Sequence, residues 1–154
     1  MRLTDLLALD RIATDLAAPD KRAALEVLGG LLARGAEGVS ADAIARILRD
    51  REALASTGVG DEVAIPHGKV AGLKGIVAAM AMSRTGIAFD SIDQRPVRIF
   101  VAILAPEKSS SDHLRALARC SKLLRDGRVR SRLISATSPE EVMQIVAEES
   151  PDSA

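Results

Sequence analysis

A chain of 154 residues is long enough to bury a core of its own and short for two, so one domain over 1–154 is the expectation. Its 21 basic residues balance 21 acidic ones, which excludes the electrostatic footprint of a general nucleic-acid binder. Apolar residues make up 47% of the chain, with no Trp or Tyr and only two Phe, so the core has to be aliphatic, a composition that suits helices packed on a sheet.

The acidic residues Asp5, Asp10 and Asp15 punctuate the N-terminal segment, and the longest apolar run, residues 76–82, is far short of a membrane span. A soluble, cytoplasmic protein without membrane insertion is expected. A first strand is possible near residues 12–16. Leu25, Leu28, Leu31 and Leu32 then recur at helical spacing over residues 19–33, with Pro19 suited to the first helical position and Gly35 just past the end. A second helix starts after Ser40, a good N-cap, aligns Ile44, Ile47, Leu48 and Leu54, and runs through Arg51. It breaks in a loop at Ser56, Thr57, Gly58, Val59 and Gly60.

Residues 63–65, 76–82 and 97–104 read as strands, and the last is so continuously apolar that it belongs in the middle of a sheet, buried on both faces. Ser109, Ser110, Ser111 and Asp112 offer caps for a helix carrying Leu114, Leu117, Ala118 and Leu124. Cys120, the single cysteine, lies in that helical pattern as a small core residue, and alone it permits neither an intrachain disulfide nor a thiolate zinc site. A shorter helix covers about 129–134. The last opens with Ser138, Pro139, Glu140 and Glu141, a capping box, and buries Val142, Ile145 and Val146. The ordered core is expected over about 3–148, followed by a polar tail, and the order of elements indicates a layered α/β domain, a sandwich of a mixed sheet flanked by helices.

The chain has two histidines, His67 and His113. His67 follows an apolar strand in Ala64, Ile65, Pro66, His67, Gly68, where Pro66 stiffens the approach and Gly68 permits an abrupt exit. A neutral imidazole, with an unperturbed pKa of about 6.5, is a good nucleophile toward phosphorus near neutrality, and its N–P bond is labile enough to pass the group on. A phosphoryl group also needs donors. Ser56 and Thr57 offer hydroxyls, Gly58 and Gly60 let the loop turn its amides inward, Arg51 stands at a helix end, and His113 near a helix start adds an N–H. Each is commonplace alone; the combination carries the reading.

Residues 51–60 and 64–69, together with Asp93, Gln94, Arg95, Pro96 and Val97, Ala105 and Pro106, and residues 112–117, resemble the active-site signature of the enzyme IIA domains of the bacterial phosphoenolpyruvate-dependent phosphotransferase system. The fructose/mannitol type is the best match, including its free-standing nitrogen-regulatory branch. The resemblance covers nearly the whole chain. It implies a phosphotransferase-system component that works as a stoichiometric carrier. His67 would accept phosphate on Nε2 from an HPr-like phosphocarrier (NPr), with His113 and Arg51 lining the site and no cofactor or metal. The expected outlet is regulatory target proteins; the alternative is a sugar-transport role, passing phosphate to a separate IIB protein. Where the family's loop commonly has a further glycine, this chain has Glu62, next to Asp61, and both carboxylates are expected to face solvent.

Two other classes compete. His67 and His113 with Asp61 or Asp112 could ligate a metal for hydrolysis, although no HxH or HxxxH spacing exists. A non-catalytic interaction module is the third. Basic residues 115, 119, 122, 125, 128, 130 and 132, opposed locally only by Asp126, form a solvated helix surface or a docking face.

Overall fold

The computed structural model describes residues 2–150. The chain runs α1 (Leu3–Leu6), a 3-10 turn (Leu9–Arg11), β1 (Ile12–Ala13), α2 (Lys21–Ala33), α3 (Ala41–Leu54), β2 (Gly58–Gly60), β3 (Val63–Ala64), β4 (His67–Val70), β5 (Val77–Ile87), β6 (Val97–Pro106), α4 (Ser110–Leu124), α5 (Gly127–Ser135) and α6 (Pro139–Glu149). No helix among the described residues is long and apolar enough to cross a membrane.

The sheet is built on β5 and β6, paired antiparallel from Val77 opposite Leu104 to Met82 opposite Ile99. Side chains alternate across a strand, so two nearly continuous apolar strands supply two cores. Ala78, Met80, Met82, Ile99, Val101 and Ile103 face one side, under α1, α4, α5 and α6. Ala79, Ala81, Phe100, Ala102 and Leu104 face the other, under α2 and α3. The six strands are ordered β1-β5-β6-β3-β2, with β4 also on β6. β1 runs parallel to β5, and β3 and β4 run parallel to β6, while β2 is an edge antiparallel to β3. This is the mixed sheet between helices read from the sequence, with β6 at its centre.

Several details differ from that reading for local reasons. Pro19 lies outside α2, because the Asp20 carboxylate accepts the N–H of Ala23 and is the true cap. Residues 58–60 are not loop but edge strand. Strand β5 runs on to Ile87 through polar, partly exposed residues. Two leucines assigned to apolar faces are exposed: Leu54 by 82% and Leu114 by 65%. The buried stripe of α3 is Ile44, Ala45, Leu48 and Glu52; that of α4 is His113, Ala116, Cys120, Leu123 and Leu124. In both helices a polar residue shares the register of the core.

The basic cluster also resolves into structure. Arg128 and Arg132 pair with Glu149, Arg132 also with Glu148, and Arg130 donates to the carbonyls of Leu124 and Arg125. Glu148 and Glu149 come from α6, far along the chain, and the arginines hold the Glu149 carboxyl down at about 2, chiefly through the hydrogen bond from Arg128.

Strand β4 lies against α3 so closely that a Cβ on Gly68 would stand 2.3 Å from Cγ2 of Ile47, a β-branched side chain with little freedom to yield. Gly68→Ala is therefore expected to cost about 1–3 kcal/mol in denaturant unfolding, and Ile47→Ala in the same chain to recover part of the loss. Simple additivity of the two costs would show that the contact is not the cause.

Candidate functional site

Pro66, having no N–H, interrupts the run along β6: β3 ends at Ala64 opposite Phe100, and β4 resumes at His67 opposite Ile103. His67 is thus the first residue of a second short strand rather than the residue that follows the end of the first. In the break, the Ile65 N–H donates to the Thr57 carbonyl at 3.0 Å. The Ile65 carbonyl turns to the imidazole, and Nδ1 of His67 donates to it at 2.8 Å. A carbonyl can only accept, so Nδ1 carries the ring proton and the neutral ring leaves a lone pair on Nε2.

His113, in the first turn of α4, brings its ring centroid to 5.3 Å from that of His67, with the planes 56° apart. Burial lowers the pKa of His67 below the ordinary value. The Ile65 hydrogen bond opposes that shift, the nearby Arg51 charge adds to it, and Glu52 pulls the other way. Burial drives His113 further, down to about 4, with added repulsion from His67 and Lys69. Both rings are therefore neutral at pH 7. Nδ1 of His113 is buried with no hydrogen-bond partner, the orphaned polar side-chain atom of this region. Arg51, in the last turn of α3, donates to the Ala55 carbonyl at 2.8 Å.

The four loop residues expected to cradle an anion are occupied otherwise. The Ser56 hydroxyl donates to the Phe89 carbonyl at 3.0 Å and accepts the Gly58 N–H at 3.0 Å. The Gly60 N–H donates to Ser91 Oγ at 3.3 Å. Thr57 gives both its N–H and its hydroxyl to the carboxylate of Glu52. In this structure these groups brace the loop, and of the expected site residues His113 packs its ring near that of His67 while the charge of Arg51 reaches it.

Sequence reading missed Glu52, Lys21 and Lys69. Glu52 is 8% exposed and answered by Lys21 at 3.0 Å. Its signal was present, since it falls in the apolar register of α3, where a carboxylate needs a reason to be buried. Lys69, two residues beyond His67 on the same strand, donates to Ser110 Oγ at 3.0 Å. Among the described residues no three His, Cys, Asp or Glu side chains could together hold a metal ion.

Glu62 does not stand free in water as expected. Its carboxylate lies 3.3 Å from Arg95 and 3.7 Å from Arg98. The Glu62 carbonyl accepts from Arg98 and Ile99, four residues along β6 from the partner of His67, roughly 13 Å at strand rise. Its φ of 68°, following 56° at Asp61, is a left-handed conformation that favours glycine. Asp93 braces the same turn, accepting the N–H groups of Arg95 and Asp61, which hold its carboxyl below the ordinary range.

A half-buried neutral histidine with its Nδ1 tied to a carbonyl, near a second histidine and an arginine, is an arrangement chemically able to present a nucleophilic imidazole nitrogen. The chain belongs to the family described as phosphoenolpyruvate-dependent sugar phosphotransferase system, EIIA 2, which matches residues 5–149. It is 38% identical over 149 residues to a nitrogen regulatory protein of Bradyrhizobium diazoefficiens, covering 96% of this chain and 95% of that one. It is 32% identical to a fructose-specific EIIA component of Haloferax volcanii, covering 95% of each. Among solved structures, nitrogen regulatory protein IIA-Ntr of Neisseria meningitidis superposes with a TM-score of 0.89 at 33% identity, covering 94% of this chain and 99% of that one.

His113 has a folded-state pKa of about 4 against 6.5 unfolded, so the unfolded chain binds the extra proton first as pH falls. Its contribution is full above pH 6.5 and is lost on acidification. Unfolding free energy should drop by about 2 kcal/mol between pH 7 and 5 from this group alone, above the range where carboxylates titrate. Denaturant melts of wild type and His113→Gln check it: the variant should have the flatter profile, and equal slopes would contradict the assignment.

At Glu62, Gly and Ala substitutions lose the same ion pairs but only Ala keeps the strained φ. Glu62→Ala should be less stable than Glu62→Gly by about 1 kcal/mol, read from melting midpoints. Equal stability would mean that the backbone there relaxes.

Proposed function

We propose that this chain is a regulatory phosphoryl carrier that accepts the group on Nε2 of His67 from an HPr-like carrier of the nitrogen branch (NPr), and that its output is phosphorylation-dependent binding of regulatory target proteins. The observation that carries this reading is the 2.8 Å hydrogen bond from Nδ1 of His67 to the Ile65 carbonyl. That bond leaves the lone pair of the neutral ring on Nε2, the nitrogen facing away from its anchor. Burial keeps the ring unprotonated at pH 7, so the lone pair is available.

In the transfer, the Nε2 lone pair forms the new N–P bond while the bond from phosphorus to the donor breaks and its electron pair stays on the donor. Nδ1 retains its proton, and the positive charge acquired by the ring is met by the Ile65 carbonyl. The developing charge on the phosphoryl oxygens calls for donors. Arg51 can exchange the Ala55 carbonyl for the phosphoryl group, and His113, neutral with Nδ1 enclosed, offers its other ring nitrogen as an N–H donor. No step requires a metal, because the donor delivers an already activated group.

The regulatory reading is supported by whole-length similarity to nitrogen regulatory proteins. A sugar-transport role, with delivery to a separate IIB protein, is the second reading, favoured by the similarity to a fructose-specific EIIA component. The cytoplasm, where such carriers exchange phosphate, is the compartment we propose.

Incubation with phosphoenolpyruvate, enzyme I and an HPr-type carrier should add one acid-labile, base-stable phosphoryl mass, absent in His67→Ala. Arg51→Ala and His113→Ala should fold and transfer about tenfold or more slowly. A phosphoryl mass that persists in His67→Ala, or wild-type rates in both other variants, would overturn the site. Discharge to a fructose-type IIB protein at a rate matching its loading would favour the transport role over the regulatory one.

A further inference from the structure

The Glu52 carboxylate is the most heavily bonded charge in the protein interior. It lies on the core-facing side of α3, 8% exposed, directly after Arg51. The Thr57 N–H approaches its two oxygens at 3.0 and 3.1 Å, the Thr57 hydroxyl donates to Oε1, and Lys21 Nζ stands 3.0 Å from Oε2. Lys21 reaches across from the first turn of α2 and is itself held over the Phe89 ring, 4.6 Å from its centroid, with Asp90 at 3.9 Å. Burying a carboxylate is costly, and breaking such a pair on one side leaves an uncompensated charge.

These bonds continue toward the imidazole without a gap. Thr57, whose N–H and hydroxyl are clamped by Glu52, presents its carbonyl to the N–H of Ile65 at 3.0 Å. Ile65 presents its own carbonyl to Nδ1 of His67 at 2.8 Å. Thr57 and Ile65 are thus linked in series through their backbone groups, and the placement of Ile65 depends on that of Thr57. Ser56 and Gly58 brace the same segment against residues 89–92 but make no bond to Ile65.

We propose that Glu52, locked by Lys21, is a positioning residue that sets the tautomer of His67 through Thr57 and Ile65. With the clamp in place, Ile65 holds the proton on Nδ1 and the lone pair on Nε2. Without it, the Thr57 N–H and hydroxyl lose their acceptor and the loop turns to find others. The Ile65 peptide then loses its anchor, and the Nδ1–H contact lengthens. The ring next populates the form protonated on Nε2, which shows a hydrogen, not a lone pair, to phosphorus. The tautomer is read separately from stability, so a change in it is distinguishable from simple destabilisation.

The inference rests on the reading of His67 as phosphoryl acceptor, yet its first test needs no phosphoryl donor. The ring-nitrogen NMR signature of 15N-histidine-labelled protein reports the tautomer directly at pH 7.5. Wild type should show His67 protonated on Nδ1. Glu52→Gln, which keeps the size but discharges the clamp, should show a several-fold larger share of the Nε2–H form, and transfer from the HPr-type carrier should slow about tenfold or more. Lys21→Met should do the same in smaller measure, and Thr57→Val, which keeps the N–H and removes the hydroxyl, should fall between wild type and Glu52→Gln.

Should Glu52→Gln fail to fold, Lys21→Met and Thr57→Val carry the test. An unchanged wild-type tautomer in those two, or in a folded Glu52→Gln, overturns the inference even when His67 is phosphorylated normally. Phosphorylation that survives His67→Ala overturns the underlying reading instead.

Discussion

One hydrogen bond, from Nδ1 of His67 to the carbonyl of Ile65, gives the rest of the structure its purpose. A histidine free in a loop samples two tautomers and many orientations, and only some present a lone pair to an approaching group. Tying Nδ1 to a backbone carbonyl removes half of that freedom and names the reactive nitrogen. The register on β6 is unbroken across Pro66, with Glu62 and Pro66 turning their carbonyls to β6, so strand alternation turns the backbone of Ile65 away from β6, its N–H to Thr57 and its carbonyl to the imidazole. The segment is held on both sides by β6, which seats Ala64 and His67 on the same central strand.

The electrostatics around that bond are built from separated charges of opposite sense. Burial and Arg51 favour the neutral ring, whereas the Ile65 carbonyl and Glu52 favour the charged one. A carrier has to load and unload, and opposing contributions keep either state from being overwhelming. His113 is different: burial, then His67 and Lys69, all push it toward neutrality. An aliphatic core explains how this is afforded, since the layer under α4 through Ala116, Cys120 and Leu123 contributes no polar partner for its buried Nδ1.

Much of the fold was legible because β6 and β5 are apolar in both alternations and the helices carry their own caps; Ser40 and Ser138 accept the N–H groups that their positions imply. The errors arose where a polar side chain took a core position. Leu54 and Leu114 were assigned inward, but Glu52 and His113 occupy those registers, and both are site residues. The proposed trio His67, His113 and Arg51 was visible as a combination of residue types matching a family signature. What Ser56, Thr57, Gly58 and Gly60 do was not, because a loop's hydrogen bonds depend on residues 52 and 89–93, whose proximity no local pattern records. The partners of the α5 arginines were hidden in the same way, on a helix some twenty positions later.

The Ile65 carbonyl, by holding the proton on Nδ1, is proposed to dictate which nitrogen of His67 reacts. The most direct measurement of this is long-range proton–nitrogen correlation on histidine-labelled protein after loading with phosphate, with phosphorus coupling to identify the bonded nitrogen. The account predicts phosphorus on Nε2 of His67 and a proton still on Nδ1 in slow exchange with water. Phosphorus on Nδ1, or an Nδ1 without its proton in the loaded protein, would contradict it.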